Sequence, residues 1–296
     1  MLNKTRVHQI FYMAFGLLLV FFDQRTAFFK IAEIDSTLVI IFSIIMSLGV
    51  AHGACDSIVI WDTFPKLKTK AIAFLTYLSI VFLGLLLWFQ SPAIGLIILL
   101  SMSIIHFGES DLSYLRKASQ GVKLSWGFAM TMLPIIFFEK DVKTIFDLLV
   151  NFDINLKVFF VLKILTLFSV CSFLLLVYIN KAITNKDKVF LFLEFLSALF
   201  LASFLKPLYW FAFYFCFLHG IRALIHFGIS SLRDFLFLTI FTLPVTFLAY
   251  FILFESLQIE YLTIIFSILM ALTISHMLLP LINSFILNFF KKRQKF

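Results

Sequence analysis

Residues 71–90 read AIAFLTYLSIVFLGLLLWFQ, and after Ser91 residues 92–108 read PAIGLIILLSMSIIHFG. Neither stretch carries a charge, and each approaches the roughly 20 apolar residues that cross a hydrocarbon core as a helix. The apolarity is continuous rather than alternating, which selects helices over a barrel. Ser91-Pro92 divides the two stretches, because proline ends or kinks a helix. Working outward, similar runs fill the chain. Spans are expected near 8–22, 37–61, 71–90, 92–108, 124–138, 158–179, 189–205, 207–228, 235–254 and 261–287. Composition agrees: 62% of residues are hydrophobic and 14% charged, against about 25% charged in soluble domains. The expected fold is an all-α, polytopic membrane bundle of about ten helices, with residues 1–296 forming one integral membrane domain. The first span lacks a small-residue cleavage site and is followed by Asp23 and Arg25, so it is expected to be retained.

Charge sets the expected orientation. With loops assigned alternately to two sides, one side collects 16 Lys and Arg residues and the other only 6. Both termini are then cytoplasmic. The net charge of +8 is loop charge on that face and suits anionic lipid headgroups. No basic patch is interleaved with aromatics in a soluble module, so nucleic acid is not an expected partner. Cys55, Cys171 and Cys216 have no spacing that suggests a disulfide or zinc framework.

Ionisable groups in hydrocarbon are costly and mark function by default. His8 starts the first span and is expected at the interface. The other histidines all fall on even-numbered spans, which run from outside to cytoplasm. Counted from the outer start of their spans, His52, His106, His219 and His276 lie 15, 14, 12 and 15 residues in. At about 1.5 Å per residue they share a layer within roughly one helical turn, with His226 about 10 Å deeper than His219. Imidazole is a common ligand for iron, copper, zinc and nickel. Asp56 follows His52 by four residues and Glu109 follows His106 by three, positions from which carboxylates orient ring N–H groups. Arg222 is expected to pair with one of these acids. A metal site, a proton or ion pathway and hydrogen-bonded structural glue all remain open on these residues. Gly53, Gly108 and Gly220 either permit close helix packing or clear space beside the histidines. The abundant Phe either faces lipid or lines an apolar tunnel. Lys163 is expected to snorkel, and Glu194 has no assigned role.

The motif order then becomes informative. His52-Gly-Ala-x-Asp56, His106-Phe-Gly-x-x-Asp111, His219-x-x-Arg222 and His276-Met277 resemble the Brp/Blh family of bacterial and archaeal membrane β-carotene dioxygenases. The resemblance covers most of the chain, and its first two motifs are the most specific. It implies a multi-pass enzyme of a bacterial or archaeal cell membrane that uses Fe(2+) and O2. The reaction implied is cleavage of the central 15,15′ double bond of β-carotene to two retinal molecules, which supply rhodopsin-type acceptors. Iron ligation carries over by motif to His52, His106 and His219. The family's third motif reads His-Ser-x-Arg-His, whereas here Gly220 stands at the serine and Ala223 at the second histidine; Ser275 stands where a proline usually precedes the last histidine. His276, at matching depth, is expected to complete the ligand set, with His226 the alternative. Asp56 and Glu109 are expected to orient ligands, with Arg222 as their charge partner.

Two other functions compete. A carotenoid-binding relative with altered catalysis is favoured by Ala223. A transporter or proton carrier would use the same histidines with Asp56, Glu109, Asp111 and Arg222 as a relay, but the paired Gly/Pro breaks of discontinuous transport helices are missing. Di-iron desaturases and hydroxylases use H-x-x-x-H and H-x-x-H-H boxes, and neither box is present.

Overall fold

A computed structural model describes residues 2–26, 41, 43–115, 117–229, 231–255 and 261–293. Residues 27–40, which include Lys30 and the start of the expected span 37–61, lie outside the described residues; so does Arg116. The described residues form helices and no strands. The helices are α1 (Leu2–Thr26), α2 (Val50–Thr63), α3 (Leu67–Gln90), α4 (Pro92–Asp111), α5 (Gln120–Met132), α6 (Pro134–Phe137) and α7 (Glu139–Val150). There follow α8 (Leu156–Ile179), α9 (Asn185–Phe204), α10 (Pro207–Phe213), α11 (Ile221–Phe227), α12 (Leu232–Glu255) and α13 (Tyr261–Arg293). Two π-helical segments, Ile45–Gly49 and Tyr214–Gly220, run into α2 and α11 respectively.

Six helical stretches among the described residues are long and apolar enough to cross a membrane: Asn3–Phe22, Leu67–Gln90, Pro92–Asp111, Leu156–Ile179, Pro207–Phe227 and Leu262–Phe290. These six do not by themselves establish the expected count of ten, since part of the expected span 37–61 lies outside the described residues. The clearest departure is the expected span at 124–138, which is broken. Pro134 has no N–H to continue the ladder, so α5 stops at Met132 and α6 restarts at the proline. The next helix, α7, falls between two expected spans; it buries Val142, Leu149 and Val150 on one face and opens on Glu139 and Asp141. Asp and Glu in a first helical turn complement the helix dipole there.

The bundle is apolar outside as well as inside. Leu75, Phe82, Leu83 and Phe89 on α3 are exposed, while Trp88, Trp126, Trp210 and Phe195 are fully buried. The closest packings are α3 on α13, α4 on α5, and α5 on α8. The α4–α5 contact is made at glycines. A methyl group at Gly127 would overlap the Ile104 carbonyl, and one at Gly108 would overlap the Lys123 carbonyl. Backbone meets backbone there, so neither neighbour can rotate away. Gly127→Ala is expected to push α4 and α5 apart at a cost of about 1–3 kcal/mol, lowering the thermal midpoint of the detergent-purified protein. Gly53→Ala, which meets nothing within 4 Å, is the matched control; equal midpoints for the two variants would refute the packing argument.

Candidate metal centre

His52 lies three residues beyond the π-helical segment Ile45–Gly49, and His219 lies inside the segment Tyr214–Gly220. A π-turn inserts one residue into the helical ladder and re-aims the side chains beyond it. The two segments pack against each other, with the Phe215 ring lying where a side chain at Gly49 would project. His106 comes from α4 and His276 from α13.

The rings converge. The His219 ring is 4.8 Å from that of His52 and 4.8 Å from that of His106. The His276 ring is 4.8 Å from His106 and 5.9 Å from His52. One nitrogen each from His52, His106 and His219 fall within 4.8 Å of one another. His276 stands beside this trio rather than within it. His52 Nδ1, His106 Nε2 and His219 Nε2 are buried and have no hydrogen-bond partner among the described residues. A buried unpaired polar atom costs about 1–3 kcal/mol. Of these, His219 Nε2 and His106 Nε2 belong to rings that converge with His52, and buried nitrogens without a partner are the kind of atom that a bound ion satisfies.

Carboxylates hold two of the rings. Asp111 Oδ1 is 2.8 Å from His219 Nδ1, and Asp56 Oδ1 is 2.8 Å from His276 Nδ1. An ionised carboxylate only accepts, so each Nδ1 carries a proton, and in the neutral ring Nε2 then keeps a lone pair. Asp111 is itself fixed: its Oδ2 accepts from the Tyr214 hydroxyl at 2.6 Å and from Trp126 Nε1 at 3.0 Å. Asp56 Oδ2 accepts from the Tyr77 hydroxyl at 3.0 Å.

The polar partners differ from those expected from the sequence. Glu109, expected to orient a ligand, turns away and pairs with Lys123 at 2.5 Å, and its side chain is 43% exposed. A helix turns about 100° per residue, so only one of Glu109 and Asp111 faces the histidines, and it is Asp111. Asp56 reaches His276 on a different helix, not His52 one turn back. Arg222 pairs with neither Asp56 nor Glu109; its guanidinium meets Glu194 in a fully buried ion pair and donates to the Asp111 main-chain carbonyl at 3.2 Å. Glu194, which carried no role in the sequence, also accepts from Gln9 at 2.9 Å. His8, expected at the interface, is buried within the bundle, 2.7 Å from the Phe217 carbonyl. His226 is engaged elsewhere, with Ser113 at 2.7 Å and Thr5 at 3.3 Å. Lys163 pairs with Glu139 at 3.0 Å. Gly108 serves packing, whereas Gly53 opens onto the cavity beside the histidines.

That cavity holds about 300 Å³. His52, His106 and His276 form part of its wall, and Leu99, Phe107, Met130, Phe211, Phe215 and Leu269 supply much of the rest. Some of the Phe therefore face outward and some line the interior.

The class that fold and site define is a helical bundle of apolar exterior with a histidine cluster that could hold a metal ion beside a mostly apolar cavity. The family whose model matches residues 43–282 is described as beta-carotene 15,15′-dioxygenase, and this chain belongs to that family. It is also 30% identical, over 191 residues, to the beta-carotene 15,15′-dioxygenase of the uncultured marine bacterium 66A03. That match covers 61% of this chain and 66% of the relative, just under two thirds of its length. No solved structure matches the chain.

Proposed function

We propose that this chain is an iron-dependent enzyme of a bacterial or archaeal cell membrane that cleaves the central double bond of β-carotene with O2, giving two retinal molecules. The observation that carries the reading is the convergence of His52, His106 and His219, one nitrogen of each within 4.8 Å of the others, beside an apolar cavity that His52 and His106 line. Family membership supplies the substrate class.

His52, His106 and His219 would hold the ion, with His276, its ring 4.8 Å from that of His106, as the candidate fourth ligand. Ferrous iron held by neutral imidazoles supplies open positions and the electrons that activate O2. The reaction balances without an outside reductant: the 15,15′ carbon–carbon bond breaks and each carbon leaves with one oxygen atom of O2. The chain's own residues do three things. Asp111 and Asp56 fix ring tautomer and direction. Phe107, Phe215 and Leu269 grip the polyene beside the rings. The same apolar wall keeps water away from the reacting carbons. The substrate is soluble in hydrocarbon, which matches the exposed Leu and Phe surface. Retinal so formed suits a rhodopsin-type acceptor in the same membrane.

The direct test is expression in a β-carotene-producing bacterial host. Loss of orange pigment with retinal appearing by chromatography supports the reading. Retained pigment with iron-free inserted protein refutes it and favours a carrier. Retained pigment with iron bound favours a carotenoid-binding relative. A finer expectation concerns orientation. Asp111→Asn and Asp56→Asn are each expected to weaken iron binding roughly 10–100-fold, read as iron retained after graded chelator washes. Glu109→Gln, remote from the rings, is expected to retain iron as the unmodified protein does.

A further inference from the structure

A lipid-soluble substrate has to reach the cavity from outside the bundle. Among the described residues that line it, two are also exposed on the outside of the bundle: Leu78 at 57% and Phe241 at 41%. They lie on different helices, α3 and α12, at one place on the surface. There the Phe74 ring stacks on the Phe241 ring, with centroids 5.7 Å apart and planes 3° from parallel. Both rings line the cavity.

The helices on either side of this place are barely joined. α12 packs along α2 and α3 along α13, while α3 and α12 make little backbone contact with each other. Behind the seam lies α2, whose Asp56, Ser57 and Ile60 line the cavity. Elsewhere the lining is buried or half-buried, as at Pro134, Ile135, Val142 and Pro207. The outer approach is apolar on both flanks, with Leu75 64%, Phe82 60%, Leu236 48% and Ile240 60% exposed. A stacked ring pair is a weak and separable contact, unlike the backbone contact of α4 on α5.

We propose that the seam between α3 and α12, closed by the Phe74–Phe241 ring pair, is the port through which an apolar polyene enters the cavity sideways from the bilayer. The port rests on the carotenoid reading above. Its frame is tied to the histidines: Tyr77, between Phe74 and Leu78 on α3, donates to the same Asp56 that holds His276. Ring separation at the seam and ring direction at the centre therefore share one hydrogen-bonded link.

The test plugs the seam reversibly. Leu78→Cys is made in a Cys171→Ala background, which removes the one cysteine of the three that is exposed. The full chain, in lipid nanodiscs, is treated with a bulky aryl methanethiosulfonate or with the methyl reagent. β-Carotene loading is followed under nitrogen by its absorption, and cleavage after O2 is admitted. Each labelled protein is compared with its own unlabelled form. The bulky label is expected to slow loading and lower kcat/KM about tenfold or more, the methyl label less than about twofold. Dithiothreitol is expected to reverse the bulky block. The same bulky label on Leu83→Cys, exposed on α3 but outside the cavity lining, is expected to change neither rate. Unchanged loading with the bulky label at position 78 overturns the port and leaves the enzymatic reading intact. A protein that loads but does not cleave still decides the port by loading alone. An unlabelled protein that neither loads nor cleaves overturns the carotenoid reading, and the port with it.

Discussion

Alanine at His219 is expected to abolish iron binding and carotenoid cleavage together while leaving the bundle folded. His219 touches both other members of the trio and receives the most tightly held carboxylate, Asp111. Its removal takes away a ligand outright, so the loss should exceed the roughly 10–100-fold that orienting partners cost. The apo fold is expected to tolerate it. The variant loses an imidazole nitrogen that has no partner among the described residues, and Asp111 keeps its bonds from Tyr214 and Trp126. Iron per chain, retinal yield and thermal midpoint are measured on the same preparation. His52→Ala and His106→Ala should behave alike. His276→Ala separates two ligand sets: iron loss assigns it as the fourth ligand, and retained iron leaves it as a wall residue. His226→Ala should keep its iron, since Ser113 and Thr5 hold that ring away from the cluster. Full iron and full turnover in His219→Ala would sink the metal assignment.

Glu194→Ala is expected to be the most destabilising single change away from the histidines. Glu194 and Arg222 are 0% and 1% exposed at their side chains and bind each other directly. Removing one partner strands the other charge in an apolar interior, at a cost of about 3–5 kcal/mol. The loss should spread, because Arg222 also holds the Asp111 carbonyl and Gln9 gives a hydrogen bond to Glu194. Unfolding in detergent, followed by tryptophan fluorescence, should show the drop in midpoint. The double variant Glu194→Leu with Arg222→Met removes both charges and is expected to recover much of the stability. A double variant no better than Glu194→Ala would mean that the pair acts through geometry rather than through charge.

The helical class is legible in composition and run length, because lipid leaves a chain few ways to satisfy its backbone. Proline at position 92 marks a real boundary, and so does proline at 207. Proline at 134 is the one that run length conceals: the apolar stretch over 124–138 continues past it, yet the helix ends where the ring removes a donor, and an amphipathic helix comes next. The four-histidine layer is also legible, since depth along parallel helices is a matter of counting residues.

Sequence by itself thus determined that the chain is helical and apolar, and that His52, His106, His219 and His276 lie at one depth. Only the tertiary structure decided which of them converge, which carboxylates hold them and where the cavity meets the surface. Counting along a helix gives height but not azimuth. Two π-turns that no periodicity announces change the azimuth of His52 and His219, and a two-residue step separates Glu109, facing Lys123, from Asp111, facing His219. Partners on distant helices, such as Asp56 with His276 or Glu194 with Arg222, depend on how whole helices pack, and packing is a property of surfaces brought together rather than of any one stretch of chain.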